Sequence, residues 1–260
     1  MGKSSAMRPV VLSIAGFDPS GGAGILADIK TLESFCVYGM AVLSANTIQN
    51  DTAFQGVSWV PVEEIIQQLE VLNERFTPVV VKIGLIENMD VFTRVTQWVK
   101  TNWPAAFFIW DPIIKASAGY TFHEAIPQHV LNNVDLVTPN VPEYQLLCAD
   151  TAPALMASQT NCHILLKGGH ASGTMVKDVL YQPDGVIHSV TCQRIQDVDK
   201  HGTGCVLSSA IAAGVALGNN LSAACNRGHL YIRQLLESNP GLLGYHNHSQ
   251  PELNPKNNSL

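Results

Sequence analysis

The chain is poor in charge and has no long uninterrupted apolar run. Only 14% of its 260 residues are Asp, Glu, Lys or Arg, against 46% hydrophobic, and the formal net charge is −6. No Lys/Arg cluster occurs, so the basic footprint of a nucleic-acid or membrane-surface binder is missing. No apolar stretch is long enough to span a bilayer. Residues 1–9 lack the apolar segment of a secretory signal, and Ala6 stands where a myristoylation motif needs Ser or Thr. The six cysteines form no C-x-x-C pair, and most lie in apolar segments, which predicts reduced thiols in a cytoplasmic protein. The acidic balance leaves a phosphate ligand open, since a few local donors suffice to bind one.

What the sequence does have is an alternation. Short β-rich runs stand at Val10–Ala15, Met40–Ile48, Gln55–Val60, Val79–Ile83, Ala106–Trp110, Val134–Thr138 and Ile164–Leu166. Helical spacing falls between them at Ala23–Phe35, from Pro61 to about Arg75, and after Ile83 through Val99. This order predicts an α/β fold with a mostly parallel central sheet flanked by helices. Met175–Tyr181 and Val186–Cys192, joined through Pro183-Asp184-Gly185, read as a β-hairpin. Helical segments at 203–217 and 221–236 follow. No linker or repeat divides the body, so one domain is expected over 10–237. Residues 1–9 and 238–260, the latter rich in Asn, Pro, His and Ser, are expected to be flexible tails.

In open α/β sheets, ligands bind beyond the carboxyl ends of the strands. That rule selects loops starting at Gly16, Asn50, Gly84, Asp111, Asn140 and Lys167. The most informative stretch is His201-Gly202-Thr203-Gly204-Cys205. Glycines flanking a threonine at a helix start expose backbone N–H groups, and with the helix dipole these make an anion site. Cys205 stands in the first turn, where the same field lowers a thiol pKa and favours the thiolate. The plainer alternative is a Gly-rich turn before a buried cysteine.

Each other candidate has a plain alternative too. Asn140 and Glu143 have the spacing of a helix capping box. Asp111 precedes Pro112, as turn aspartates often do. Asp28 fits a solvent-facing helix position. Gln49 carries an amide able to donate and accept, or simply closes a loop. Lys167 ends an apolar strand before Gly168-Gly169, which surface solvation explains poorly. Gly22 to Ala27 fits the dinucleotide pattern G-x-G-x-x-A, but the glycines arrive several residues after the strand ends. His246-Asn247-His248 has no third ligand nearby. His163 and His170 flank a strand, and His201 either lines the site or enters the turn.

The run from Ile14 to Lys30 closely resembles the N-terminal signature of the hydroxymethylpyrimidine/phosphomethylpyrimidine kinases, thiamine-biosynthesis enzymes of the ribokinase-like superfamily. The likeness continues through Gln49-Asn50, Lys82-Ile83-Gly84, Asp111-Pro112, Thr138 to Glu143, Lys167 to His170 and His201 to Cys205. It covers Val10 to about Leu236, and several elements are shared with pyridoxal kinases. The resemblance implies a single ribokinase-like three-layer domain, with the β-hairpin preceding the anion-hole helix. It implies ATP-dependent phosphorylation of 4-amino-5-hydroxymethyl-2-methylpyrimidine and then of its monophosphate, with Mg2+, in a homodimer.

By the same resemblance Gly16, Asp28 and Gln49 would hold the pyrimidine. Asn140, Lys167 and Thr203 would meet the nucleotide, and Asp111 and Glu143 the metal. Gly202, Thr203 and Gly204 would stabilise the transferring group, and Cys205, where most of the superfamily has Asp, would take the hydroxyl proton. Two departures stand out. Ser117-Ala118-Gly119 replaces a common Lys-Ser-Gly, with Lys115 two positions earlier, and the stretch from Glu143 to Lys167 is short, as if part of a peripheral helix were missing. The alternatives are a pyridoxal kinase of the Cys-containing type, a non-catalytic pyrimidine-binding protein and an NAD-dependent enzyme.

Overall fold

The computed structural model describes residues 7–114, 127–149, 151–169, 174–195 and 200–246. In chain order the elements are β1 (Val10–Phe17), α1 (Gly24–Ser34), β2 (Tyr38–Gln49), β3 (Phe54–Trp59), α2 (Val62–Asn73), β4 (Val80–Ile83), α3 (Met89–Asn102) and β5 (Phe107–Trp110). After a 3-10 turn at Gln128–Asn133 come β6 (Leu136–Val137), α4 (Val141–Cys148), α5 (Pro153–Thr160), β7 (His163–Leu166), β8 (Met175–Tyr181), β9 (Ile187–Gln193), α6 (Thr203–Ala216) and α7 (Leu221–Glu237). They build a nine-stranded sheet in the order β3-β2-β1-β4-β5-β6-β7-β8-β9. The strands from β2 through β7 in that order run parallel, and β3, β8 and β9 are antiparallel to their neighbours.

The continuous apolar runs have a direct cause. Successive residues of a strand face opposite sides, and here both sides are covered. Leu12, Ile14, Val42, Val81, Ile83, Phe108 and Trp110 pack in one core with Ile65 of α2, Phe92 of α3, Leu147 of α4 and Met156 of α5. Val11, Val80, Ile109, Leu136 and Leu165 pack in the other with Leu32 of α1, Ile211 of α6 and Ala224 of α7. Helices, sheet and helices thus form the three layers. Burying each large apolar side chain contributes roughly 1.5–3 kcal/mol.

The chain steps from β1 to β2 on one side and later to β4 on the other, so the order reverses between β1 and β4. That reversal opens a crevice at the carboxyl ends of these strands, where the loops after β1 and β4 diverge.

The stretch between Glu143 and Lys167 is filled by most of α4 and by α5, each with a proline in its first turn, where the missing N–H costs nothing. One expectation changes. Residues 239–246, expected to belong to a flexible tail, pack on the body. The His201 amide donates to Leu242 O, Lys200 Nζ to Asn239 O, and Tyr231 Oη lies 2.8 Å from His246 Nδ1. Missing periodicity excluded a helix or strand there, but Asn and Ser side chains close an irregular loop by hydrogen bonding. Among the described residues no helix is long and apolar enough to cross a membrane.

Candidate active site

The N-terminus of α6 sits at this crevice. Gly202 precedes the helix at φ +78°, and a Cβ there would strike Gly22 O and come within 2.8 Å of Ala23 Cα. Glycine is therefore required twice over, by conformation and by space. Among the described residues no side chain caps α6, which leaves its first-turn amides without a side-chain partner there. Gly202, Thr203 and Gly204 are half-buried and line the opening.

The loop after β1 is locked against this turn by Asp18. Its carboxylate accepts from Ser20 N, Ser20 Oγ and Ala23 N at 2.8–2.9 Å, and lies 2.9 Å from His201 Nε2. Burial works to raise the Asp18 pKa, but these donors, His201 foremost, hold it down at about 2. The sequence left His201 undecided. A pair separated by 183 positions has no local signature.

Across the opening the loops after β5, β6 and β7 converge. Lys167 Nζ is 3.1 Å from Asp111 Oδ1 and 3.8 Å from Glu143 Oε2. A Cβ on Gly204 would stand 3.5 Å from Lys167 Nζ and 3.9 Å from Asp111 Oδ2. A half-buried ammonium therefore lies beside Gly204 in the first turn of α6. Asp111 also accepts from Thr138 Oγ1 at 3.0 Å and Ser208 Oγ at 3.2 Å. Burial pushes the Asp111 carboxyl upward, but Lys167 and Lys82 outweigh it and the pKa ends below its usual value. Lys167 is raised, because Asp111 and Glu143 outweigh its own burial. Glu143 is raised by burial, which Lys167 only partly offsets.

Asn140 and Glu143 do form the capping box: Asn140 Oδ1 accepts from Glu143 N at 2.8 Å, and Asn140 N donates to Glu143 Oε2 at 2.7 Å. The bridge between Asn140 and Lys167 sets the two loops side by side. Mg2+ favours one or two carboxylates and keeps several waters. Asp111 and Glu143, adjoining one ammonium and partly open to solvent through Glu143, fit such an ion and would hold it.

Two expected site residues differ from the sequence reading, one in its surroundings and one in its ionisation. Asp28 is neither solvent-facing nor open to a ligand. It is fully buried, accepting from Ser13 Oγ at 2.5 Å, Ser209 Oγ at 2.7 Å and Lys82 Nζ at 2.5 Å. Cys205 is in the first turn as expected, but its thiol is not lowered. Burial pushes it up to about 12, against the opposing pull of Lys82 and the Gly24 N–H. A helix terminus supplies only about 0.3–1 kcal/mol, too little to outweigh desolvation.

Gly16 is the penultimate residue of β1, at a register shift and against Leu85. Gln49 ends β2, half-buried beside the β2–β3 turn, and its amide has no hydrogen-bond partner among the described residues. Lys115, the segment Ser117-Ala118-Gly119, His170 and His248 lie outside the described residues. Among the described residues no three His, Cys, Asp or Glu side chains converge as metal ligands.

A sequence model of the phosphomethylpyrimidine kinase family matches residues 18–250. The chain belongs to that family. At 32% identity over 248 residues it is similar to the hydroxymethylpyrimidine/phosphomethylpyrimidine kinase of Aquifex aeolicus, with 90% of this chain and 96% of that one covered. It is 32% identical over 243 residues to the thiamine biosynthesis multifunctional protein ThiED of Corynebacterium efficiens; 88% of this chain is covered, and the chain spans 33% of that longer relative's length.

The phosphomethylpyrimidine kinase of Clostridium difficile 630 superposes with a TM-score of 0.71 at 27% identity, covering 87% of this chain and 98% of that one. The pyridoxal kinase of Staphylococcus aureus in complex with AMP-PCP and pyridoxal superposes with a TM-score of 0.78 at 23% identity, covering 90% and 89%. The shared architecture is the ribokinase-like fold, and the nine-stranded, mostly parallel sheet described above is its form in this family member.

Proposed function

We propose that this chain is an ATP-dependent kinase that phosphorylates the hydroxymethyl group of 4-amino-5-hydroxymethyl-2-methylpyrimidine, and then the monophosphate to the diphosphate, for thiamine biosynthesis. The observation that carries the reading is Lys167 Nζ, paired with Asp111 beside the uncapped turn Gly202–Cys205. Phosphoryl transfer asks mainly for positioning and for charge stabilisation around the transferring group. The first-turn amides of α6 and the Lys167 ammonium supply both. Asn140 and Thr203 border the same opening and orient the nucleotide phosphates. Mg2+, when bound, neutralises phosphate charge.

Cys205 receives the hydroxyl proton. Its thiol starts protonated, since burial holds its pKa near 12. The thiol must first release that proton to solvent; the resulting thiolate then takes the hydroxyl proton, which a loose transition state gives up only late. Gln49, with an unpaired amide at the end of β2, recognises the aminopyrimidine edge. Gly16 leaves its backbone close to the ring.

Sequence relatives named for the pyrimidine kinase favour that substrate over pyridoxal. The test is incubation with Mg-ATP and either hydroxymethylpyrimidine, its monophosphate or pyridoxal, with products identified by mass. ADP with phosphorylated pyrimidines is expected. Phosphorylation of pyridoxal alone moves the assignment to a pyridoxal kinase, and no phosphorylated product in any incubation refutes the kinase reading. The assembly is a homodimer, which sedimentation of the full chain checks.

A further inference from the structure

β4 is the innermost kind of strand, buried along its whole length, yet it contains a lysine. Lys82 is 1% exposed, and its ammonium is 2.5 Å from Asp28 Oδ1, a carboxylate that is itself fully buried. Asp28 is anchored from two more sides by Ser13 of β1 and Ser209 of α6. On its far side Lys82 Nζ reaches to 3.5 Å from the Cys205 carbonyl oxygen, in the first turn of α6. The ion pair is thus wedged between the sheet, α1 and the base of the transfer loop.

Stability alone is a poor reason for such a pair. Two charges lose their hydration in the interior, and neutral replacement of both partners is often harmless or stabilising. The position of the pair gives a better reason. The charged groups that act on the Cys205 thiol are Lys82 from β4, Asp28 from α1, Asp111 beyond β5 and Lys167 beyond β7, and the Gly24 backbone adds a weaker pull toward the thiolate. Lys167 and Asp111 serve the phosphate side. Lys82 is the cation enclosed beneath the cysteine, and Asp28 keeps that ammonium protonated, the lysine pKa being raised despite complete burial.

We propose that Lys82, held by Asp28, is a positioning residue for the transfer loop: it fixes the first turn of α6 through the Cys205 carbonyl and supplies the positive charge that favours the Cys205 thiolate, the thiol proton leaving to solvent before that thiolate accepts the hydroxyl proton. This rests on Cys205 being the proton acceptor of the reaction proposed above, but the coupling of Lys82 to the thiol is measurable without turnover. It also gives Asp28 a task other than ligand contact.

The test uses the full chain with Lys82→Met and Asp28→Asn combined, so that no buried charge is left unpaired and the introduced amide keeps an oxygen for its serine donors. Alkylation of Cys205 by iodoacetamide is followed by peptide mass spectrometry from pH 6 to 10, with exposed Cys36 as the internal standard. Alkylation rate follows the thiolate fraction, and Lys82 pulls on the thiol more than the opposing Asp28 charge removed with it, so Cys205 should be alkylated more slowly at pH 8 and its profile should move to higher pH. Cys36 should not change. The pH profile of kcat should shift the same way, with KM for ATP little affected.

A folded double variant with the wild-type Cys205 profile overturns the proposal. So does a double variant that fails to fold, because the pair would then be held for stability. Slowed alkylation with unchanged turnover upholds the Lys82–Cys205 coupling and refutes Cys205 as proton acceptor.

Discussion

Replacing Asp18 by Asn should weaken the fold by an amount that depends on pH in a calculable way. Asp18 has a side chain only 1% exposed, tied to His201, Ser20 and Ala23. Its pKa falls from the ordinary 3.8 to about 2. A lowered folded-state pKa stabilises the native protein above the unfolded value, and the benefit disappears as pH drops through the folded one. The gap of 3.8 to about 2 corresponds to about 2.4 kcal/mol at pH 5 and above, and about 1.3 kcal/mol by pH 3. Asp18→Asn removes the charge at every pH. Urea unfolding of both proteins should therefore differ by about 2.4 kcal/mol at pH 5 and by roughly half of that at pH 3. Lost hydrogen bonds add an offset independent of pH, so the slope is the diagnostic quantity. Working at pH 5 and below also keeps ordinary imidazole titration out of the comparison. A stability difference that stays flat from pH 5 to pH 3 would refute the claim that the carboxylate charge, rather than its shape, locks the two loops together.

Cys205→Ala should lower the rate of the first phosphorylation about 100-fold or more, as expected for removal of a general base. The second step should suffer much less, because a phosphate monoester, with its second pKa near 6, is already ionised at neutral pH; equal losses in the two half-reactions, followed separately by chromatography, would contradict the role. Lys167→Met should raise KM for ATP and cut kcat by about 100-fold or more. It should also destabilise the protein by about 3–5 kcal/mol, because Asp111 is left buried without its partner; calorimetry and initial rates at varied ATP check both effects. Gly202→Ala meets Gly22 O and a positive φ together, so it should cost more than 1 kcal/mol and depress turnover, read by the melting temperature and kcat.

The strands were legible because their cause is local. Val79–Ile83 is β-branched and apolar except at Lys82, and Val80–Ile83 of it becomes β4 between two helix layers. Asp184-Gly185 turned the β8–β9 hairpin as its sequence promised, with the Asp184 side chain accepting from Val186 N. The capping pattern Asn140–Glu143 was equally readable, because the box closes within one helical turn. Cys205 was misread for a related reason. The helix-terminus field is written in the adjacent glycines, while the burial that overrides it comes from β4 and α1, far away in sequence.

Long-range pairs left only indirect marks, and those marks are specific. Lys82 is a charge in a strand otherwise made for the interior, and Ser208-Ser209 interrupt a helix whose neighbours are Val, Leu, Ala and Ile. A polar group inside an apolar element has to find a partner or be expelled. Ser208 finds Asp111 and Ser209 finds Asp28, so two adjacent side chains on α6 reach two different buried carboxylates. The second turn of α6 is thereby pinned from beneath at two points, just behind the turn that faces the crevice. Site geometry in this fold is thus set by the polar residues that interrupt its apolar elements: each interruption marks a partner on another element, and the partners of Lys82, Ser208 and Ser209 all lie under the start of α6.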